Sequence, residues 1–170
     1  MTESTSEFVR SRVEALGLMP HPEGGWYREV YRSGSTLPLP RGERSLLTVI
    51  HYVLPPGGFS AWHRVRADEG WTWVGGDPIE LHQLRESGEH RVATLSGALP
   101  EGPTAVVPAG DWQAASTTGT LGAHAICTVA PGFDFRDFRM ATRRELLARF
   151  PHHGALVERF TATQRLPEMG

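Results

Sequence analysis

PPGGFSAWHRVRADEGWTWVGG, residues 55–76, is the stretch on which the reading of this chain turns. It opens on a Pro-Pro-Gly-Gly turn and sets Trp62, His63, Glu69, Trp71 and Trp73 within about a dozen residues. Side chains alternate along an extended chain with period two, so positions 63, 65, 69, 71 and 73 share one side. Asp68 and Gly70, flanking Glu69, read as a corner between two strands. A His and a Glu pointing into one cavity walled by tryptophans can hold a metal, move a proton or grip a polar ligand. The stretch locates a pocket without naming its ligand.

Working outward, the flanking segments are mostly β. LLTVIHYVL (46–54) is rich in β-branched and aromatic residues and runs into the Pro-Pro-Gly-Gly turn. After the turn at Gly75–Pro78 come IELHQL (79–84), HRVATL (90–95), TAVVP (104–108), WQAAST (112–117) and HAICTVA (124–130). Short strands at this spacing, broken by Gly and Pro, predict a sandwich or barrel rather than a βαβ fold. Upstream, Trp26–Arg32 alternates as a strand, and 37–44, with Pro38 and Pro40, reads as a loop. Ser4 with Glu7 resembles a capping box for a helix over 5–16, carried by Val9, Val13 and Leu16 and stopped by Gly17. At the other end, Thr142 with Glu145 opens a helix through Leu146, Leu147 and Phe150 that Pro151 stops, and 155–160 adds a further turn. These helices are expected to pack outside the sheet. The expectation is one domain over 1–170, with its core at about 20–140 and a helical segment at about 141–163.

Composition narrows the function classes. With 39% hydrophobic and 21% charged residues, the 170-residue chain matches a globular protein able to bury a core. Its 17 basic residues, all arginine, face 19 acidic ones, and a net charge of -2 argues against nucleic acid as a partner. No apolar run reaches the roughly 18 residues of a membrane span. The polar N-terminus is unlike a signal peptide, and the single Cys127 suits a reducing cytoplasm. The expected setting is cytoplasmic, with a small-molecule ligand and no nucleic acid or membrane partner.

Gly57, His63, Glu69 and Gly75-Gly76 together resemble the first motif of the cupin superfamily, and VPAGDWQ (107–113) resembles the second. HPEGGWYRE, FSAWHRV, DEGW, GDPIEL, VPAGDWQAA and CTVAPGFDF are more closely similar to the cupin-5 family, over about residues 10–165. The resemblance implies an all-β double-stranded β-helix, or jelly roll, with a short N-terminal helix and a C-terminal helical segment, found as a homodimer. It implies no single activity. Metal-binding cupins usually offer two His and a Glu from the first motif and a His from the second. Here Val65 stands for the second His and Gln113 for the last, so His63 and Glu69 are what remains. Thr72 stands where related sequences carry His, and His51 where an aromatic is common.

His63 and Glu69 are the leading catalytic candidates, because a carboxylate beside an imidazole orients it for acid–base work. The alternative is a buried pair that merely satisfies itself. His51 joins them if its strand faces inward and is otherwise a core or interface residue. A divalent metal would fall to His63, Glu69 and His51, but Gln and Val are poor replacements for His, and the expectation is no cofactor. Trp71 and Trp73 are read as a ligand-pocket wall. Gln113, His21, Glu23 and Arg28 are candidate substrate contacts, and His82 is a weaker one. The function expected is acid–base chemistry (epimerisation, isomerisation or elimination) on a small sugar-like or carboxylated metabolite. The alternatives are a non-catalytic binder or sensor and a metal-dependent enzyme such as a dioxygenase.

Overall fold

The structure is a computed structural model and describes residues 6–161. Helix α1 (Glu7–Leu16) is capped by Ser6, whose Oγ accepts from the Val9 amide at 3.2 Å, and Gly17 closes it in the left-handed region. Ser4, the expected cap, lies outside the described residues. The start of the helix falls at Glu7, because the Ser6 hydroxyl is the one that reaches a free amide of the first turn.

The strands that follow are β1 (Met19–Pro20), β2 (Trp26–Arg32), β3 (Thr36–Leu37), β4 (Arg44–Ser45), β5 (Thr48–Leu54), β6 (Phe59–Val65) and β7 (Asp68–Gly76). Then come β8 (Ile79–Leu84), β9 (His90–Leu95), β10 (Thr104–Val107), β11 (Trp112–Thr117), β12 (Ala123–Ala130) and β13 (Phe138–Met140). They form two main antiparallel sheets, in the orders β1-β2-β5-β12-β7-β10 and β13-β6-β11-β8-β9, with β3 and β4 as a small separate pair. Inward residues of both sheets, among them Tyr52, Leu54, Trp71, Ile79, Leu81 and Ala115, make one core between them. This is the expected jelly roll. The corner in the central stretch comes at Arg66–Ala67, earlier than Asp68–Gly70, and there the chain leaves one sheet for the other.

The outer faces are covered by helices. Val9 and Leu18 pack with Val53 on the back of the six-stranded sheet. On the back of the other sheet, α2 (Arg143–Arg149) and α3 (Gly154–Arg159) bury Leu146, Phe150, Val157 and Phe160 against Trp62, Leu84 and Trp112. Thr142 caps α2, accepting from the Glu145 amide at 3.2 Å. Among the described residues no helix is long and apolar enough to cross a membrane.

Candidate active site

A cavity of about 660 Å³ opens at one end of the space between the sheets. His63 and Val65 reach it from β6 and Glu69 from β7, as the two-residue alternation requires. His21 and Glu23 enter from the HPEGG turn between β1 and β2. That turn is pinned to β6 by the Ala61 amide donating to the Glu23 carbonyl at 2.8 Å, and Tyr52 Oη donates to the Gly24 carbonyl at 2.6 Å. Gly24 has φ 111, and a Cβ there would stand 2.4 Å from the Phe59 carbonyl oxygen, so no larger residue fits.

The carboxylate against His63 is that of Glu23, with Oε2 3.2 Å from Nε2. On the other side of the ring, Nδ1 lies 2.8 Å from the Ala61 carbonyl oxygen, to which it donates, leaving Nε2 as the acceptor. Ser60 Oγ donates to Glu23 Oε1 at 3.0 Å. Burial is the main influence on both partners: it raises the Glu23 pKa and lowers that of His63 to about 4. Each is thereby pushed toward its neutral form. The Glu23 amide donates to His21 Nδ1 at 3.3 Å, which puts the proton of neutral His21 on Nε2. Burial lowers the pKa of His21 as well, against the opposing charge of Glu23.

Glu69 is held separately. Trp71 Nε1 donates to Gln113 Oε1 at 2.9 Å, which fixes the amide so that Gln113 Nε2 donates to Glu69 Oε2 at 2.6 Å. Oε1 of Glu69 has no hydrogen-bond partner among the described residues. Burial, and then the charge of Glu23, push the Glu69 pKa up to about 8, partly offset by the Gln113 bond. At neutral pH this carboxyl is mostly protonated, and the free oxygen can carry the proton.

Several expected contacts stand elsewhere. His51 is on the opposite face of β5 from Ile50 and Tyr52, and its Nδ1 lies 2.9 Å from His124 Nε2. Trp71 and Trp73 do point inward, but into the filled part of the barrel: Trp71 is wholly buried, and Trp73 packs at the core's edge, donating to the Asp77 carbonyl at 3.0 Å. Gln113 is buried behind Glu69 and does not line the cavity. Arg28 contributes to the lining, yet its Nη1 donates to the Leu16 carbonyl at 3.0 Å. His82 sits under the C-terminal helices, its Nδ1 3.1 Å from His90 Nε2.

The aromatic wall comes from Phe133, Phe135 and Phe138, whose rings meet edge to face at 5.0–5.9 Å, with Tyr27 opposite across His21. The wall segment is tied down by Arg44, which donates to both oxygens of buried Asp137 at 2.8 and 3.1 Å, and by the Phe133 amide on Thr48 Oγ1 at 2.9 Å. The tight FDFRDF spacing was a usable signal for an aromatic cluster, whereas nothing local to Tyr52 or Ser60 marks them as site residues.

The donor set of a metal-binding cupin is incomplete in this cavity. Val65 and Gln113 replace two ligands, both His63 nitrogens are occupied by Glu23 and Ala61, and His51 faces away. Among the described residues no three His, Cys, Asp or Glu side chains are arranged to hold a metal ion. The residues present do not fit that centre.

Two facing antiparallel sheets around a buried polar cavity define a small-molecule-binding double-stranded β-helix. By its match to the Cupin superfamily (DUF985) model over residues 10–141, the chain belongs to that family. A hypothetical protein from Leishmania major is similar at 29% identity and a TM-score of 0.84, over 89% of this chain and 97% of that one. A Shewanella oneidensis protein is similar at 31% and 0.84, over 91% and 97%. An oxalate decarboxylase from Bacillus subtilis is similar at 17% identity and a TM-score of 0.54, over 88% of this chain and 40% of that one, and shows the fold alone. No curated protein matches by sequence.

Proposed function

We propose that this protein is an enzyme that moves a proton on a small polar metabolite held in the cavity, by epimerisation, isomerisation or elimination. The observation that carries the reading is Glu69: a buried carboxyl, fixed through one oxygen by Gln113, with its other oxygen unpartnered on the cavity side. A carboxyl with its pKa near 8 exists in both protonation states around neutral pH, which suits a residue that gives a proton and takes one back. The Glu23–His63 pair, with both partners committed to protein bonds, supports the floor and holds a second proton beside it. Arg32 is bonded to Glu29 and the Phe133 carbonyl and so braces the wall. The reading includes a single-domain cytoplasmic homodimer that needs no metal. Light scattering at micromolar concentration tests the assembly, and elemental analysis of tag-free protein tests the metal.

The test of function is a thermal-shift screen of sugars, keto acids, amines and aromatic acids, followed by turnover assays on any hit. A ligand at a hundredfold excess over its Kd raises stability by about 2.7 kcal/mol. Shifts that survive in Glu69→Gln while turnover is lost support the enzyme. Binding with no turnover would leave a binder or sensor in its place, and no shift from the whole panel would remove the cavity from the account.

A further inference from the structure

We propose that the cavity selects an uncharged hydroxy-carbonyl compound, such as a free neutral sugar, and rejects both acids and amines. The inference rests on the small-molecule reading above and narrows its ligand. Its first support is that no guanidinium reaches the buried floor. Two arginines contribute to the lining, and both are exposed at its mouth: Arg32 is paired with both oxygens of Glu29 and bonded to the Phe133 carbonyl, and Arg28 donates to the neutral Leu16 carbonyl, which leaves its charge in place. Among the described residues the buried lining groups that change charge near neutral pH are two carboxyls and two imidazoles, so a ligand carboxylate or phosphate seated on the floor would have no guanidinium beside it. Burying an unpaired charge costs several kcal/mol.

Cations fare no better. Glu23 is saturated by Ser60 and His63, and Glu69 already accepts from Gln113. The floor treats its own groups accordingly: burial raises both carboxyls and lowers both imidazoles, so charge of either sign is disfavoured there. An ammonium group on the floor would have to drive a proton off Glu69 to gain a charged partner there.

What the floor does offer is neutral hydrogen bonding. Glu69 Oε1 and His21 Nε2 have no partner among the described residues, and in the neutral forms both are donors, matched to carbonyl or hydroxyl oxygens. The ring faces of Phe133, Phe135 and Phe138 supply the apolar surface against which the C–H side of such a molecule packs.

The experiment compares one skeleton in three charge states, by calorimetry on the full chain at neutral pH: D-galactose, D-galacturonate and D-galactosamine, repeated with the glucose set. The neutral sugar should bind at least about tenfold more tightly than either charged form. Phe135→Ala, at a half-exposed site, should weaken it about tenfold while leaving the thermal melt of the free protein cooperative. Glu69→Gln should narrow the gap between neutral sugar and amine little, since no charge is removed at neutral pH. Tighter binding of the uronate or the amine, or no binding of either neutral sugar, overturns the inference. In the first case the small-molecule reading stands, and in the second the broader thermal-shift screen decides it separately.

Discussion

Glu23 Oε2 lies 3.2 Å from His63 Nε2, joining a turn near the N-terminus to a central strand of the five-stranded sheet. The same oxygen is 3.5 Å from His21 Nδ1, so one buried carboxyl stands between two imidazoles. With Ala61 bonded to the far side of His63 and Ser60 to the other oxygen of Glu23, both partners have their polar atoms engaged, and burial favours the neutral form of each.

The neutrality of that network is testable. Gln presents a donor where protonated Glu23 does, so Glu23→Gln should cost under about 1 kcal/mol in urea melts. Glu23→Ala leaves His63 and Ser60 unsatisfied and should cost about 1–3 kcal/mol. A charged pair would reverse this: Glu23→Gln would then be nearly as damaging as Ala.

His63 has a second signature. Its folded pKa, about 4, is below its unfolded value near 6.5. The unfolded state therefore binds the extra proton, and stability is lost as pH falls from about 6.5 to about 4. Wild type and His63→Gln, melted across that range, should converge toward acid, since only wild type carries this histidine's slope.

Glu69 acts in the opposite sense. Its folded pKa of about 8 exceeds the unfolded value near 4.5, so the folded state holds the proton and stability falls as pH rises between them. Glu69→Gln should gain on wild type by up to about 1.4 kcal/mol per pH unit in that window. If the protein turns over a substrate, the same variant should lose about 10²–10⁴ in rate while retaining ligand affinity within about tenfold.

Gln113 is a positioning residue in this scheme. Gln113→Leu removes the bond that holds the Glu69 pKa down, so that pKa should rise beyond about 8. Infrared titration of the protonated carboxyl band reads this directly. Trp71→Phe frees the amide to turn and should move the same band in the same direction by less. An unmoved band in both would reduce the chain to packing.

Much of this was legible in the sequence, and the failures have physical causes. Alternation placed His63, Val65 and Glu69 on one interior side because each strand has one face to the core. The same rule carried Trp71 inward correctly but said nothing of where the barrel stops being filled, which depends on residues from both sheets. His51 was ambiguous because β5 has buried residues on both faces, with α1 packed on one and the cavity on the other, so its apolar run hid the alternation. Glu23 was legible as a candidate but not as the partner of His63, since that contact spans 40 residues and depends on how the turn lies on β6. Gln113 was read as a ligand contact from its place in a motif; its role behind Glu69 is visible only through Trp71.

Gly24 offers a check on the turn itself. Gly24→Ala meets both an unfavourable φ and the Phe59 carbonyl, and should destabilise by at least about 1–3 kcal/mol and displace Glu23 from His63. A smaller stability cost of Glu23→Ala in the Gly24→Ala background than in wild type would show the displacement.

The Phe133–Phe138 wall has a consequence for how the protein comes into being. The cavity floor is encoded before residue 70, while the wall and the Asp137 that anchors it to Arg44 come almost seventy residues later. A ribosome releasing the chain from its N-terminus therefore exposes Glu23, His63 and Glu69 to water long before anything encloses them, with their ordinary affinities for protons. The burial that shifts these groups is complete only when the wall arrives, so a nascent fragment ending before Phe133 carries every floor residue without the wall that encloses them.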